Sequence, residues 1–234
     1  MTPAGYLQLV GRDEGEAKVF AQSLHVHHSE FFRDPLTFAL LEHRLLPGLA
    51  KARASTDYPE IRVWSAGCAA GEEAYSIAIL LSELCDGWDV PVRFRLFATD
   101  SSDEQLGLAD LGSYPSSVMG NVQKRHMERW FSRQGDSYVI VPELRTQVAF
   151  SLHSLLGEHS VAPSTSIFGG FDVVLCRNVL FYYRPECQRR ILDKLGRCLA
   201  QGGYLVTGEA EREVVEAAGF RVLALPAAIF QAVR

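Results

Sequence analysis

The chain has no C-x-x-C pair: its five cysteines, Cys68, Cys85, Cys176, Cys187 and Cys198, are odd in number and well separated. Such spacing indicates neither a zinc knuckle nor a disulfide framework. His25, His27 and His28 lie close together, but without the neighbouring Cys or carboxylate set of a zinc site. They read as solvated or ligand-lining groups, and no metal is expected. There is no apolar run of about 18 residues, so no membrane-spanning helix is expected, and no signal peptide is recognisable. The expected compartment is the cytoplasm, which free thiols suit. Positive charge is not in excess either. With 23 Lys and Arg against 28 Asp and Glu, the net charge is −5, which argues against a nucleic-acid binder. Methionine is scarce at 3 residues, so no methionine-rich surface forms, and no repeat or low-complexity stretch occurs.

What is present is ordinary in bulk and specific in detail. A chain of 234 residues, 47% hydrophobic and 22% charged, suits one large soluble domain or a main domain with a small appendage. Residues 1–50 read as helical: Glu14 to Leu24 and Pro35 to Leu49 carry apolar residues at helical spacing, with Pro35 and Pro47 as start and stop. The polar stretch Ala50 to Glu60 reads as a boundary before a main domain of residues 51–234. Strands are expected at Ile61 to Ser65, Arg93 to Thr99, Val148 to Leu152, Phe171 to Cys176 and Gly203 to Thr207, with helices at Glu72 to Leu84 and Pro185 to Leu199. Phe220 to Leu225 and Ile229 to Val233 suggest a terminal antiparallel hairpin. Strands alternating with helices imply an α/β fold, a doubly wound and mostly parallel sheet. Residues 114–145 break the alternation and read as a small insertion, with a helix at Val122 to Phe131 and a strand at Tyr138 to Val141.

Five islands then fall where such a sheet would bring them together: Phe31-Phe32-Arg33-Asp34, Ser65 to Glu73, Ala98-Thr99-Asp100, Cys176-Arg177-Asn178 and Phe181-Tyr182. Four of them sit at or beside the carboxyl end of an expected strand, where open α/β sheets bind ligands. Gly67 and Gly71 allow close backbone approach. Glu72 and Glu73 would repel a diphosphate and suit a cationic or hydroxyl-bearing ligand, a nucleoside without phosphate; alternatively they only complement the helix dipole. Asp100 can hold the two hydroxyls of a ribose, or cap the next helix. The polar group Cys176-Arg177-Asn178 follows an all-apolar strand and needs partners, in a site or in a structural turn. Phe181 and Tyr183 read as core residues.

Together the islands resemble the chemotaxis receptor methyltransferase family, which uses S-adenosylmethionine to methylate glutamate side chains of transmembrane chemoreceptors. The resemblance runs from about Ser23 to the carboxyl end. It is carried by Ser29-Glu30-Phe31-Phe32-Arg33-Asp34, the block Ser65 to Ala78 with Tyr75-Ser76-Ile77-Ala78, Phe97-Ala98-Thr99-Asp100, Gly112-Ser113-Tyr114, Phe171-Asp172 to Tyr183, and Gly202-Gly203-Tyr204-Leu205. It implies a class I methyltransferase fold with a small β-subdomain at 114–145 and a helical amino-terminal segment shorter than the family's.

The same resemblance implies a set of site residues. Arg33, Glu73 and Asp100 would contact the cofactor, with His27, Ser29, Gly67, His153, Ser154, Cys176, Arg177 and Asn178 around them. Arg33 and Tyr182 would flank the transferring methyl. His27 and His153 stand where the family usually has Asn, and Ser29 where it has Thr. The expected partner is the cytoplasmic domain of a chemoreceptor, with neither nucleic acid nor membrane insertion. Family members that grip a receptor's carboxyl-terminal pentapeptide have a longer, Gly-containing connection where this chain has only Arg133-Gln134-Gly135-Asp136-Ser137, so no such tether is expected. Two other readings stay open: a cofactor-binding regulatory module without transfer, and a methyltransferase for another carboxylate.

Overall fold

A computed structural model describes residues 2–13, 15–16, 29–87, 92–157, 160–166 and 170–232. His25, His27 and His28, and most of the helix expected over Glu14 to Leu24, lie outside the described residues. Among the described residues there are ten strands: β1 (Glu60–Ala66), β2 (Arg93–Asp100), β3 (Ser113–Pro115), β4 (Phe131–Gln134), β5 (Ser137–Ile140), β6 (Val148–Leu152), β7 (Phe171–Cys176), β8 (Leu199–Thr207), β9 (Phe220–Ala224) and β10 (Ile229–Ala232). Seven form one sheet in the order β6-β2-β1-β7-β8-β10-β9. Pairs from β6 through β8 are parallel, and β10 runs antiparallel to both β8 and β9. The order reverses between β1 and β7, and the crevice at such a switch point is where this architecture binds ligands.

Side-chain alternation builds a core on each face of the sheet. Val63, Leu96, Ala98, Val173 and Leu175 join the Glu72–Asp86 helix and Phe31, Phe32 and Phe38 on one face. Trp64, Ala66, Phe97, Val174 and Cys176 join Ile191, Leu192 and Leu195 of the Pro185–Cys198 helix on the other. Covered on both sides, β7 is buried at every position, which is why its sequence is an unbroken apolar run apart from Asp172.

Residue Pro47 does not end the amino-terminal helix as the sequence reading expects. The Pro35–Leu40 helix passes through a π-helical turn at Leu41–Leu45 into a second helix, Leu46–Ala54, with Pro47 in its first turn. The helix is continuous there, with the Leu46 amide donating to Leu41 O, so Pro47 removes an intrahelical donor just past the π-helical turn without ending the helix. Ala50 is fully buried, and Arg53 pairs with Asp172 of β7, whose other oxygen accepts from the Arg62 amide at 2.8 Å. The helical lead-in is thereby fastened to the sheet.

The segment between β2 and β6 makes a separate three-stranded antiparallel sheet in the order β3-β5-β4, with the Lys124–Trp130 helix packed beside it. Phe31 is inserted edge-on between Tyr114 and Phe131, at centroid separations of 4.8 and 5.2 Å, and its amide donates to Val118 O at 3.1 Å. The hydroxyl of Tyr114 donates to Ala70 O at 2.7 Å. These contacts hold the Phe31-Phe32 segment, the insertion and the turn after β1 together.

Candidate active site

The turn after β1 is fixed by its neighbour strand. The amides of Gly67 and Cys68 donate to Thr99 O at 2.7 and 2.9 Å, and that of Ala69 to Asp100 Oδ2 at 2.9 Å. Gly67 has φ +81°, and a Cβ there would lie 2.6 Å from Val179, so only glycine lets the turn pass over that side chain. Asp100 also accepts from the Ser102 amide through Oδ1 at 2.9 Å. The cap of the following helix is Ser102, whose side chain accepts from Gln105 N. Asp100 is half-buried at the end of β2, and each oxygen keeps lone-pair capacity beyond its one backbone bond.

A second carboxylate stands on the helix that the turn introduces. Glu73 accepts from Ser65 Oγ at 2.8 Å and from Arg177 Nη1 at 3.4 Å. Burial pushes its pKa up, against the lowering by the Arg177 charge. Glu72 is buried and also raised by burial, opposed by backbone bonding and a hydrogen bond from Ser29. Ser29 is thus placed against Glu72.

Residue Arg177 connects this carboxylate to the Phe-Phe-Arg segment. Its Nη2 donates to Arg33 O at 2.7 Å and to Asp34 Oδ2 at 2.5 Å, and its side chain is only 2% exposed. Its guanidinium lies over Phe38, 5.2 Å from the ring centre. Arg33 is half-buried and stands between two non-glycine residues in left-handed conformation, Phe32 (φ 52°) and Asp34 (φ 59°). Conformations of that kind persist where the surroundings over-determine them, and here the surroundings are Arg177 on one side and the Phe31-Phe32 packing on the other.

At the end of β6, the His153 amide donates to Asp100 O at 2.9 Å, and the imidazole stands edge-on to Trp64 at 5.5 Å. Burial first, and the Lys194 charge second, lower its pKa, which favours the neutral ring. Its Nε2 is buried with no hydrogen-bond partner. Ser154 beside it is exposed. The Nζ of Lys194 donates to the carbonyls of Ser154, Leu155 and Gly157 at 3.3, 3.1 and 3.0 Å and so holds this loop.

At the end of β7, Cys176 is fully buried and its thiol is pushed well up by burial, with Glu211 and Glu73 adding to the shift. That disfavours a thiolate nucleophile. Asn178 follows in left-handed conformation, φ 59°. Tyr182 is 43% exposed on the short helical turn Leu180–Tyr182. Phe181 is not the core residue its sequence suggests: it is 51% exposed, and its ring rests against Tyr182 at 4.4 Å. The core beneath is filled instead by Leu180 and, in part, Tyr183.

Residues Glu211 and Lys194 escaped the sequence reading. Glu211 lies just beyond the carboxyl end of β8 in Gly208-Glu209-Ala210-Glu211, the same kind of position that marks Asp100. Lys194 is buried on an otherwise apolar helix face, and nothing in its spacing marks it.

A sheet of this order, a glycine turn after its central strand and a carboxylate ending the next strand define a class I methyltransferase. More narrowly, the model of the CheR methyltransferase SAM-binding domain matches residues 27–229, and the chain belongs to that family. It is 31% identical over 201 residues to chemotaxis protein methyltransferase 1 of Pseudomonas aeruginosa, covering 84% of this chain and 70% of that one. It is 32% identical over 194 residues to a chemotaxis protein methyltransferase of Listeria innocua, covering 82% of this chain and 68% of that one. A 104.1 kDa protein of Rhodobacter capsulatus is 34% identical over 230 residues, 98% of this chain but 23% of its own length. Among solved structures, the DszA carbon methyltransferase is similar at 19% identity and a TM-score of 0.49, over 80% of this chain and 48% of that one.

The residues present fit S-adenosylmethionine. The unpartnered Nε2 of buried His153 and the remaining acceptor capacity of Asp100 suit a nucleoside. Glu73 and Asp100, with no Lys or Arg in the turn from Gly67 to Gly71, suit a sulfonium and an ammonium and not a phosphate. Among the described residues, no group of three or more His, Cys, Asp or Glu could hold a metal ion, and no helix is long and apolar enough to cross a membrane.

Proposed function

We propose that the chain methylates glutamate side-chain carboxylates on the cytoplasmic domain of a chemoreceptor-type signalling protein, giving glutamate methyl esters, and that it works in the cytoplasm. The observation that carries this reading is the Arg177 bracket, one buried guanidinium joining the Arg33-Asp34 segment to Glu73 of the cofactor turn. It sets an acceptor-holding arginine in fixed relation to the cofactor carboxylates.

Bound there, S-adenosylmethionine supplies an electrophilic methyl on a sulfonium sulfur. Asp100 and His153 hold the nucleoside, and Glu73 faces the cationic end. An acceptor glutamate, with an ordinary pKa of about 4.3, is already ionised near neutral pH, so no general base is required. Arg33 receives it through paired charge-assisted hydrogen bonds, a geometry that an always-charged planar fork suits. Tyr182, exposed on the Leu180–Tyr182 turn, donates its hydroxyl to the same carboxylate. The remaining work is alignment, and the packed Phe31-Phe32 segment serves it by leaving Arg33 few conformations.

The test is incubation with methyl-labelled cofactor and a receptor cytoplasmic fragment, followed by mild base. Label released as methanol identifies a carboxyl ester. Base-stable label overturns the carboxylate acceptor, and bound cofactor without label leaves a regulatory module. Label on a small carboxylic acid but not on the fragment moves the assignment to another acceptor.

A further inference from the structure

We propose that Glu211 is the positioning residue for the Asn178–Tyr182 turn, and through it for Tyr182, an inference that rests on the transfer reading above only for the role of Tyr182. The carboxylate is 2% exposed and comes from the chain beyond β8. It accepts four backbone N–H groups: Val179 and Leu180 through Oε1 at 2.8 and 2.7 Å, and Asn178 and Gly208 through Oε2 at 3.0 and 2.8 Å. Three successive amides of one turn therefore converge on a side chain more than 30 positions away in sequence.

The turn needs this support. Asn178 is left-handed without being glycine, a conformation that asparagine tolerates better than most residues but that its surroundings must hold. The turn directs three successive amides inward, that of Leu180 fully buried, and a buried donor left unpaired is costly. A neutral acceptor could not substitute: four N–H dipoles aimed at one group favour an anion. Their hydrogen bonds oppose the rise in pKa that burial imposes on Glu211. Gly208 completes the clasp, since a Cβ there would lie 2.7 Å from Asn178 Nδ2 and 3.1 Å from Glu211 Oε2. From this anchored turn the chain continues directly into Leu180–Tyr182, where the Tyr182 amide donates to Val179 O at 3.2 Å. The place of the exposed Tyr182 is thus set by a carboxylate that does not reach the crevice mouth.

The experiment compares the full chain with Glu211→Gln, which keeps the shape but turns an NH2 group toward one of the two amide pairs, and with Gly208→Ala, which presses the same clasp from the other side. Hydrogen exchange should quicken at least tenfold at Asn178 to Leu180 and Gly208 in either variant, with β1 and β2 unchanged. For methyl transfer, kcat should fall tenfold or more, while the acceptor KM and the Kd for S-adenosylhomocysteine move threefold or less. In a Tyr182→Phe background, Glu211→Gln should cost less than threefold further, because the two changes act on one group. Unaltered exchange at those amides overturns the clasp. A kcat loss that is undiminished in the Tyr182→Phe background, or matched by loss of cofactor affinity, overturns the link to Tyr182. The exchange arm needs no turnover, so a parent protein that binds S-adenosylhomocysteine but forms no ester removes the transfer reading and leaves Glu211 to be judged on the amides.

Discussion

Two left-handed residues flanking one arginine are an expensive way to place a side chain, at roughly 1–3 kcal/mol each. Phe32 and Asp34 carry that conformation, and Arg177 with Phe31 maintains it. If Arg33 orients the acceptor mainly in the transition state, Arg33→Ala should lower kcat and kcat/KM alike, with S-adenosylhomocysteine affinity nearly unchanged. Arg33→Lys should recover only part, because an ammonium cannot hold both oxygens in one plane. Steady-state kinetics within a few-fold of the parent, with folding intact, would take Arg33 off the acceptor. Arg177→Ala should behave differently. It leaves Glu73 and Asp34 without their cation, so denaturant unfolding should show a loss of about 3 kcal/mol, the low end for breaking a buried pair because Asp34 is partly exposed. The positions of Asp100 at the end of β2 and of Arg177 just past β7 were legible because apolar strand runs stop there, and that of Glu73 because a glycine turn opens its helix. Phe181 misled because hydrophobicity alone does not say whether a residue points beneath a strand end or over it. Glu211 was missed because its partners are backbone amides, which leave no trace in a sequence motif.

At the scale of elements, Val148–Leu152 and Phe171–Cys176 agree residue for residue between sequence pattern and structure, since a strand buried or paired along its whole length writes its limits in apolar residues. The π-helical turn and the three-residue β3 were not legible; neither is long enough to show a period. Tertiary contact decides such pieces, as at His126 of the Lys124–Trp130 helix. That imidazole is 1% exposed and stacks on Phe32 at 5.1 Å. Burial lowers its pKa below 6.5, with Arg125 in the same direction and Glu83 and Glu42 opposing. The unfolded chain therefore takes up a proton on His126 at a higher pH than the folded chain does. Stability must fall as pH drops from 6.5 through the folded value. Burial raises Glu72, Glu73 and Glu211, so these contribute with the opposite sign. A His126→Gln variant isolates the histidine: its disadvantage in urea midpoint relative to the parent should shrink on going from about pH 7.5 to 5.5. A constant disadvantage would show that folding leaves the His126 pKa unshifted, and a growing one that folding raises it. The insertion offers a second test. β4 and β5 are joined across Gly135-Asp136, with Gln134 paired to Ser137. One edge of this sheet is the three-residue β3 ending in Pro115, which lacks an N–H. A peptide that adds as a strand needs a row of free edge groups, and the two edges are short, three residues in β3 and four in β4. Calorimetry with a receptor carboxyl-terminal pentapeptide should detect no binding, and a micromolar Kd would overturn this expectation.

For the whole molecule, the site is where the sheet, the lead-in helices and the insertion meet, so a ligand there should stabilise all of them together. Mass action at 100 times the Kd adds about 2.7 kcal/mol. At roughly 2–4 °C per kcal/mol for a chain of this size, S-adenosylhomocysteine should raise the Tm by roughly 5–10 °C, and a chelator should leave that rise unchanged. Asp100→Ala separates two roles of one carboxylate. Its oxygens accept from Ala69 N and Ser102 N, so the unliganded variant should already melt below the parent. If the remaining acceptor capacity meets the ribose, the variant should also lose about 1.5–3 kcal/mol of binding, the scale of hydrogen bonds to a charged group. At the same ligand concentration, that loss would cut the ligand-induced rise to less than half. A lower baseline with an undiminished rise would mean that Asp100 only fastens the turn after β1 to the end of β2, and the ribose would then have to be held by other groups at the strand ends.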